Sequence, residues 1–291
     1  MKKYSKEKLK ARRLVKTIIV ILAIIAVICI GVLLFSLFSK SIVVEKLDST
    51  PSNVSDEVAS NSTPVIINNL ILGATYDKKW VASEKYYLNS KNGENTEIDA
   101  YSKEGKMGKY TIGKISKDTK TASIYTTISK QNLLNEYFAV ATSQTNVMPN
   151  PANKILDIDE SYIKDVKKAL GMYRIFNMSV KISEVYDITI SENEKGYLIF
   201  ATNEINKGKG AYSTVIYVSN TGKSKIVKYN YINDKENAED WPVYSLNFIA
   251  DLNFDGTNEL LVQETKEFEV KYDVIEYKNN NFYEIMSAVA K

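Results

Sequence analysis

Residues Ile18–Phe35 run for eighteen positions without a charge or a proline. Lengthened by Thr17 and Ser36–Ser39, the stretch reaches about 22–23 residues, or roughly 33 Å as a helix, enough to cross the hydrocarbon core of a bilayer. Eight basic residues precede it (Lys2, Lys3, Lys6, Lys8, Lys10, Arg12, Arg13 and Lys16) against a single acid, Glu7. Basic flanks are retained in the cytoplasm. The expectation is a basic cytoplasmic tail over 1–16, a transmembrane helix over 17–39, and everything after it outside the cell. A cleaved signal peptide is the competing reading. Its apolar core is normally shorter, and it ends at small residues of the Ala-x-Ala kind, which are missing here. A lipoprotein signal needs a small residue before its cysteine, but Ile28 precedes Cys29. A buried soluble helix would not carry apolar side chains on every face with all its charge at one end.

The chain beyond the anchor is limited in its chemistry. It has no histidine, which removes Ser-His-Asp and Cys-His catalysis and histidine zinc sites. The protein's one cysteine, Cys29, lies inside the apolar run, so there is no internal disulfide and no exposed catalytic thiol. An outward-facing protein without disulfides fits the habit of Gram-positive surface proteins. Of 38 Lys and Arg and 35 Asp and Glu, eight and one lie in residues 1–16, leaving 30 against 34. The outer part is therefore mildly acidic, and nucleic acid is not an expected partner.

Residues 40–64 are rich in Ser, Thr, Asn, Asp and Glu, with Pro51 and Pro64, and read as a flexible stalk. Residues 65–150 read as a small β-rich domain. Short strand-like runs (Val65–Leu72, Trp80–Ala82, Lys85–Leu88, Glu97–Tyr101, Lys109–Ile115, Ala122–Ile128) are separated by turn signals. Gln131–Ala141 changes to a helical period through Leu133, Leu134, Tyr137, Phe138 and Ala141, predicting a helix. Trp80 with Tyr86 and Tyr87 is either an aromatic platform for a sugar or peptide, or core. Pro149 and Pro151 mark a boundary.

Residues 155–291 read as a second β domain that begins with a helix over Asp159–Leu170, capped by Asp159 and ended by Gly171. The acids Asp157, Asp159 and Glu160 are explained by that cap and by the helix dipole. Strands succeed one another from there. Ser219–Gly222 and Lys278–Asn281 carry hairpin signals. Twenty tyrosines and many β-branched residues favour strands throughout. The expected fold is mainly β (α+β): an N-terminal transmembrane helix, then an antiparallel β-rich ectodomain with two short helices.

One stretch has a sharper chemical signature. Ala250–Gln263 sets Asp251, Asn253, Asp255 and Glu259 at relative positions one, three, five and nine, with Gly256 at six. Calcium takes six to eight hard oxygens, and alternating oxygen side chains on a curling loop supply them. Thr257, at seven, would add its backbone carbonyl. Position twelve is Val262, not a bidentate Glu, and both flanks are strand-like, so the pattern is a strand–loop–strand site and no EF-hand. The alternative is an Asx-rich turn that holds no metal.

Asn247–Val262 resembles the FG-GAP/VCBS-type repeat of integrin-like β-propellers, whose loops carry Asp-x-Asn-x-Asp-Gly-x-x-Asp/Glu between two strands. Tyr272–Ile285 is similar to the hairpin that comes after it in bacterial members. The resemblance, confined to about residues 243–287, implies structural calcium held by Asp251, Asn253, Asp255 and Glu259. A single motif copy is too little for a closed propeller, so a partial propeller-like or sandwich-like β domain is expected. The function these features imply is a single-pass, membrane-anchored extracellular protein with a non-catalytic, calcium-braced binding or structural domain. Its partners would be the membrane through residues 17–39 and a cell-wall polysaccharide or surface protein. Two alternatives stand beside it. One is a wall-active enzyme with a carboxylate pair, for which Glu239 or Asp240 near Trp241 could supply one member. The other is a surface sensor acting through a partner.

Overall fold

The computed structural model describes residues 62–82, 94–102, 105–126, 137–141, 152–172, 179–203, 211–232 and 241–290, within the compact unit Val44–Lys291. The expected tail, membrane helix and most of the stalk lie outside the described residues, as do Tyr86, Tyr87, Glu239 and Asp240. Among the described residues no helix is long and apolar enough to cross a membrane. Those residues are mostly strand, in antiparallel sheets, with one α-helix.

The first sheet holds β1 (Thr63–Ile67), β2 (Leu70–Tyr76), β3 (Lys79–Ala82), β4 (Glu97–Ser102), β5 (Gly105–Ser116), β6 (Thr121–Thr126) and β7 (Phe138–Ala141). Its order is β1-β7-β4-β5-β6-β2-β3, and β1 also pairs with β2, so the ladder returns to its start. Two tight turns build this corner. Asn68 and Asn69 have φ of 44° and 67°, and Asp77 and Lys78 have 47° and 61°. These are two-residue hairpin loops with both central residues left-handed, a conformation that Asn and Asp tolerate. The first of them splits the apolar run Val65–Leu72 into two strands. A helix over Gln131–Ala141 was expected. Its last four residues instead form β7, which pairs with β1 and β4; 131–136 lie outside the described residues. The helical spacing of Phe138 and Ala141 is overridden by ladder pairing on both sides, since β7 lies between β1 and β4.

The second sheet, order β12-β11-β10-β9-β8, comprises β8 (Asn153–Lys154), β9 (Lys181–Ser191), β10 (Glu194–Thr202), β11 (Ala211–Ser219) and β12 (Ser224–Ile232). The helix α1 (Glu160–Met172) lies against β10, β11 and β12. Asp159 accepts the Ser161 amide at 2.7 Å, which is the expected cap. Gly222, at φ +75°, closes the β11–β12 turn.

The third sheet is the meander β13 (Val243–Ala250), β14 (Glu259–Thr265), β15 (Val270–Lys278) and β16 (Asn281–Ala290). Both of its faces are buried, and bulges make this possible. A strand turns alternate residues to opposite faces, and one extra residue reverses the phase. In β13 the register shifts at Asn247. Tyr244 and Leu246 consequently face the second sheet, while Phe248 and Ala250 face the first. In β16 a shift at Ile285 does the same, sending Phe282 to one core and Met286 and Ala288 to the other. Leu260, Val262 and Ile275 complete the core shared with Leu198, Phe200, Val215 and Tyr217 of the second sheet. Leu261, Tyr272 and Val274 pack with Val65, Leu72, Trp80 and Tyr101 of the first. This second cluster draws on both sides of the boundary expected between residues 150 and 155. Trp80, 4 % exposed, is a core residue.

Candidate metal centre

The β13–β14 connection is the acidic loop. Phe254 stands at φ +63° and Gly256 at +93°, so the chain curls twice in the left-handed region. The curl turns backbone amides inward. Asp251 Oδ1 accepts the Asp255 amide at 3.1 Å and its Oδ2 accepts the Gly256 amide at 2.9 Å. Asn253 Oδ1 also accepts from Asp255 N, at 3.0 Å, and its Nδ2 donates to Asp255 Oδ2 at 3.2 Å. Asp255 Oδ1 accepts from Thr257 N at 2.8 Å. The loop is pinned from outside by Asn258. Its amide donates to the Ile190 carbonyl at 2.7 Å and its side chain to that of Thr189 at 3.0 Å.

Glu259 opens β14 and is 0 % exposed. Its Oε2 accepts the Leu252 amide at 2.8 Å, while its Oε1 is buried with no partner. Burial pushes its carboxyl well above the usual range, the Leu252 amide opposes this, and Asp255 and Asp251 add to it. Asp251 is raised too, chiefly by burial.

A further acid, not among the expected ligands, stands beside it. The β14–β15 register pairs Leu260 with Ile275. Continuing that ladder by one residue sets Glu259 opposite Glu276. Directly opposed residues on one face hold their Cβ atoms about 4.5–5.5 Å apart, and like charges there repel. Glu276 is 3 % exposed, its Oε1 accepts the Trp80 indole N–H at 3.3 Å, and its Oε2 is buried without a partner. Burial raises its pKa as well. Oxygens of Asp255, Glu259 and Glu276 lie within 4.8 Å of one another. Two ligands of one calcium, each at 2.3–2.6 Å, stand at most about 5 Å apart, so the spacing suits a single ion.

Asp255 and Glu259 are thus brought together as expected from the sequence. Asp251, Asn253 and Thr257 line the same loop through its amide network. Glu276 was missed by sequence reading. The signal that finds it is the register of the β14–β15 hairpin, set by the Lys266–Glu269 turn, where the Lys266 amide donates to the Glu269 carbonyl at 2.9 Å. No family model matches the chain, and neither does a curated protein or a solved structure.

Proposed function

We propose that the chain is a single-pass surface protein. Residues 17–39 hold it in the membrane, the stalk 40–64 spaces it outward, and a calcium-braced, sandwich-like β region serves for binding or structure. The reading of the metal rests on one observation above the rest: Glu259 is fully buried with an oxygen that meets no donor. An unpaired buried carboxylate costs several kcal/mol unless it is protonated or meets a cation. The loop around it has the oxygen spacing of a calcium site, and its resemblance to the FG-GAP/VCBS repeat points to the same ion in a structural role. The carboxylates Glu259 and Glu276 are closed off from solvent, which suits an ion better than a polymer substrate. Acid–base catalysis on a wall polymer would need a carboxylate pair open to a cleft. The partner class in keeping with this placement is a wall polysaccharide or another surface protein.

Two measurements test the reading. Calorimetric titration of the full chain in detergent micelles should show one calcium site, with Kd in the roughly 0.1–1 mM range of extracellular modules. Asp255→Ala should abolish it. In intact cells, a membrane-impermeant amine reagent should label lysines of residues 79–278. Absence of calcium heat at millimolar concentrations removes the brace, and labelling only after cell lysis removes the outward placement.

A further inference from the structure

We propose that Glu276 is a direct ligand of the loop cation, and that its hydrogen bond to Trp80 makes the ion a clasp between the first sheet and the third. This rests on the reading that the Asp251–Glu259 loop holds calcium. Four observations carry it. Glu259 and Glu276 stand one residue beyond the Leu260–Ile275 pair on adjacent strands, a carboxylate each, buried at 0 % and 3 % exposure. Each carboxylate keeps one oxygen without a partner. Oxygens of both, with one from Asp255, fall within 4.8 Å of one another. The remaining Glu276 oxygen is held by Trp80 of β3, 196 residues away in sequence.

The charges dictate the chemistry. Two buried glutamates face to face repel when both are ionised, so in the absence of metal the pair is a liability. A divalent cation between them turns repulsion into two attractions and satisfies both orphan oxygens. A ligand carboxylate is oriented by its outer hydrogen bond. Trp80 supplies that bond from a strand of the first sheet whose only ladder partner among the described residues is β2. Occupancy of the loop therefore stiffens the hold of β3 on β15. A metal site confined to the loop would leave that contact indifferent to the ion.

The test uses the full chain in detergent micelles on a Trp241→Phe background, so that Trp80 is the remaining tryptophan. Terbium luminescence sensitised through Trp80 reports occupancy, and displacement by calcium gives affinity. Glu276→Gln keeps an acceptor for the indole but removes the charge. It should weaken calcium binding by at least about tenfold, the scale seen when groups around a metal are lost. In chelator the same variant should melt no lower than its parent, because the repulsion has gone. A merely structural Glu276 would lower both melting temperatures. Trp80→Phe, followed by calcium-dependent tyrosine emission, should weaken binding less than Glu276→Gln does. The inference is overturned if Glu276→Gln binds calcium like its parent while Asp255→Ala does not, an outcome that leaves the loop reading standing. If the parent itself binds neither terbium nor calcium, the loop reading falls and this inference with it. If Glu276→Gln does not fold, the parent decides: calcium must change Trp80 emission and slow amide exchange in β3, and no change in either refutes the clasp.

Discussion

Gly73 of β2 lies directly beneath Met286 of β16. A Cβ built on this glycine would stand 2.2 Å from the methionine sulfur and 2.9 Å from the Val81 carbonyl oxygen. The absence of a side chain is what lets the first sheet settle onto the third. Gly73→Ala should destabilise the protein by about 1–3 kcal/mol through overpacking. Met286→Ala removes the nearer obstacle but leaves the Val81 carbonyl. The double variant should therefore lose less stability than the two single losses added together, read from melting curves of all four proteins. Strict additivity would mean that the two residues do not meet.

A second contact between layers is ionic. Lys228 of β12, its side chain 7 % exposed, reaches Asp273 at 2.6 Å and Glu284 at 2.5 Å. Lys271 answers from β15, at 2.7 Å from Asp273 and 3.3 Å from Glu284. Two cations face two anions, and the lysines pull the Glu284 carboxyl below its usual range against its burial. Lys228→Met leaves a buried excess of negative charge and should cost about 3–5 kcal/mol. Replacing Asp273 with Asn in the same chain should restore part of it. Denaturant midpoints of the single and double variants check this.

The metal-free protein should have an unusual pH profile. Burial raises the carboxyls of Glu259, Glu276 and Asp251 in the folded state. Between the ordinary glutamate value of 4.5 and the raised one, the folded protein binds more protons than the unfolded chain. Stability then falls as pH rises through that window. The contribution of the two glutamates is fully present below 4.5 and that of Asp251 below 3.8, and each is lost above its folded-state value. In chelator, the melting temperature should drop on going from pH 5 toward neutrality. With calcium the slope should flatten or reverse, because a cation needs its ligands deprotonated. Parallel melting curves across pH, with and without calcium, measure it.

The helix α1 with its Asp159 cap, the hairpins at Ser219–Gly222 and Lys278–Asn281, and the strand–loop–strand setting of Asp251–Glu259 were all legible in the sequence. Each is encoded by residues adjacent in the chain. Asn279–Asn280 announces a tight turn because polar residues surround it. Asn68–Asn69, with the same left-handed pair, was hidden inside an apolar run. The bulges at Asn247 and Ile285 have no residue signature, although they decide which core each side chain enters. Glu276 was invisible for a related reason. Its place beside Glu259 depends on strand register, and its tie to Trp80 joins opposite ends of the described chain. Such contacts arise from topology, which local pattern does not specify.

The calcium brace and the clasp built on it both require that the Asp251–Glu259 loop take up calcium in the folded state. The most direct measurement is the melting temperature of the full chain in calcium and in chelator. At a tenfold excess over Kd, binding to the native state alone adds about 1.4 kcal/mol, which for a chain this long corresponds to a rise of roughly 2–5 °C. The rise should vanish in Asp255→Ala. An unchanged melting temperature at several millimolar calcium would contradict the brace and leave the loop a turn held by its own amides.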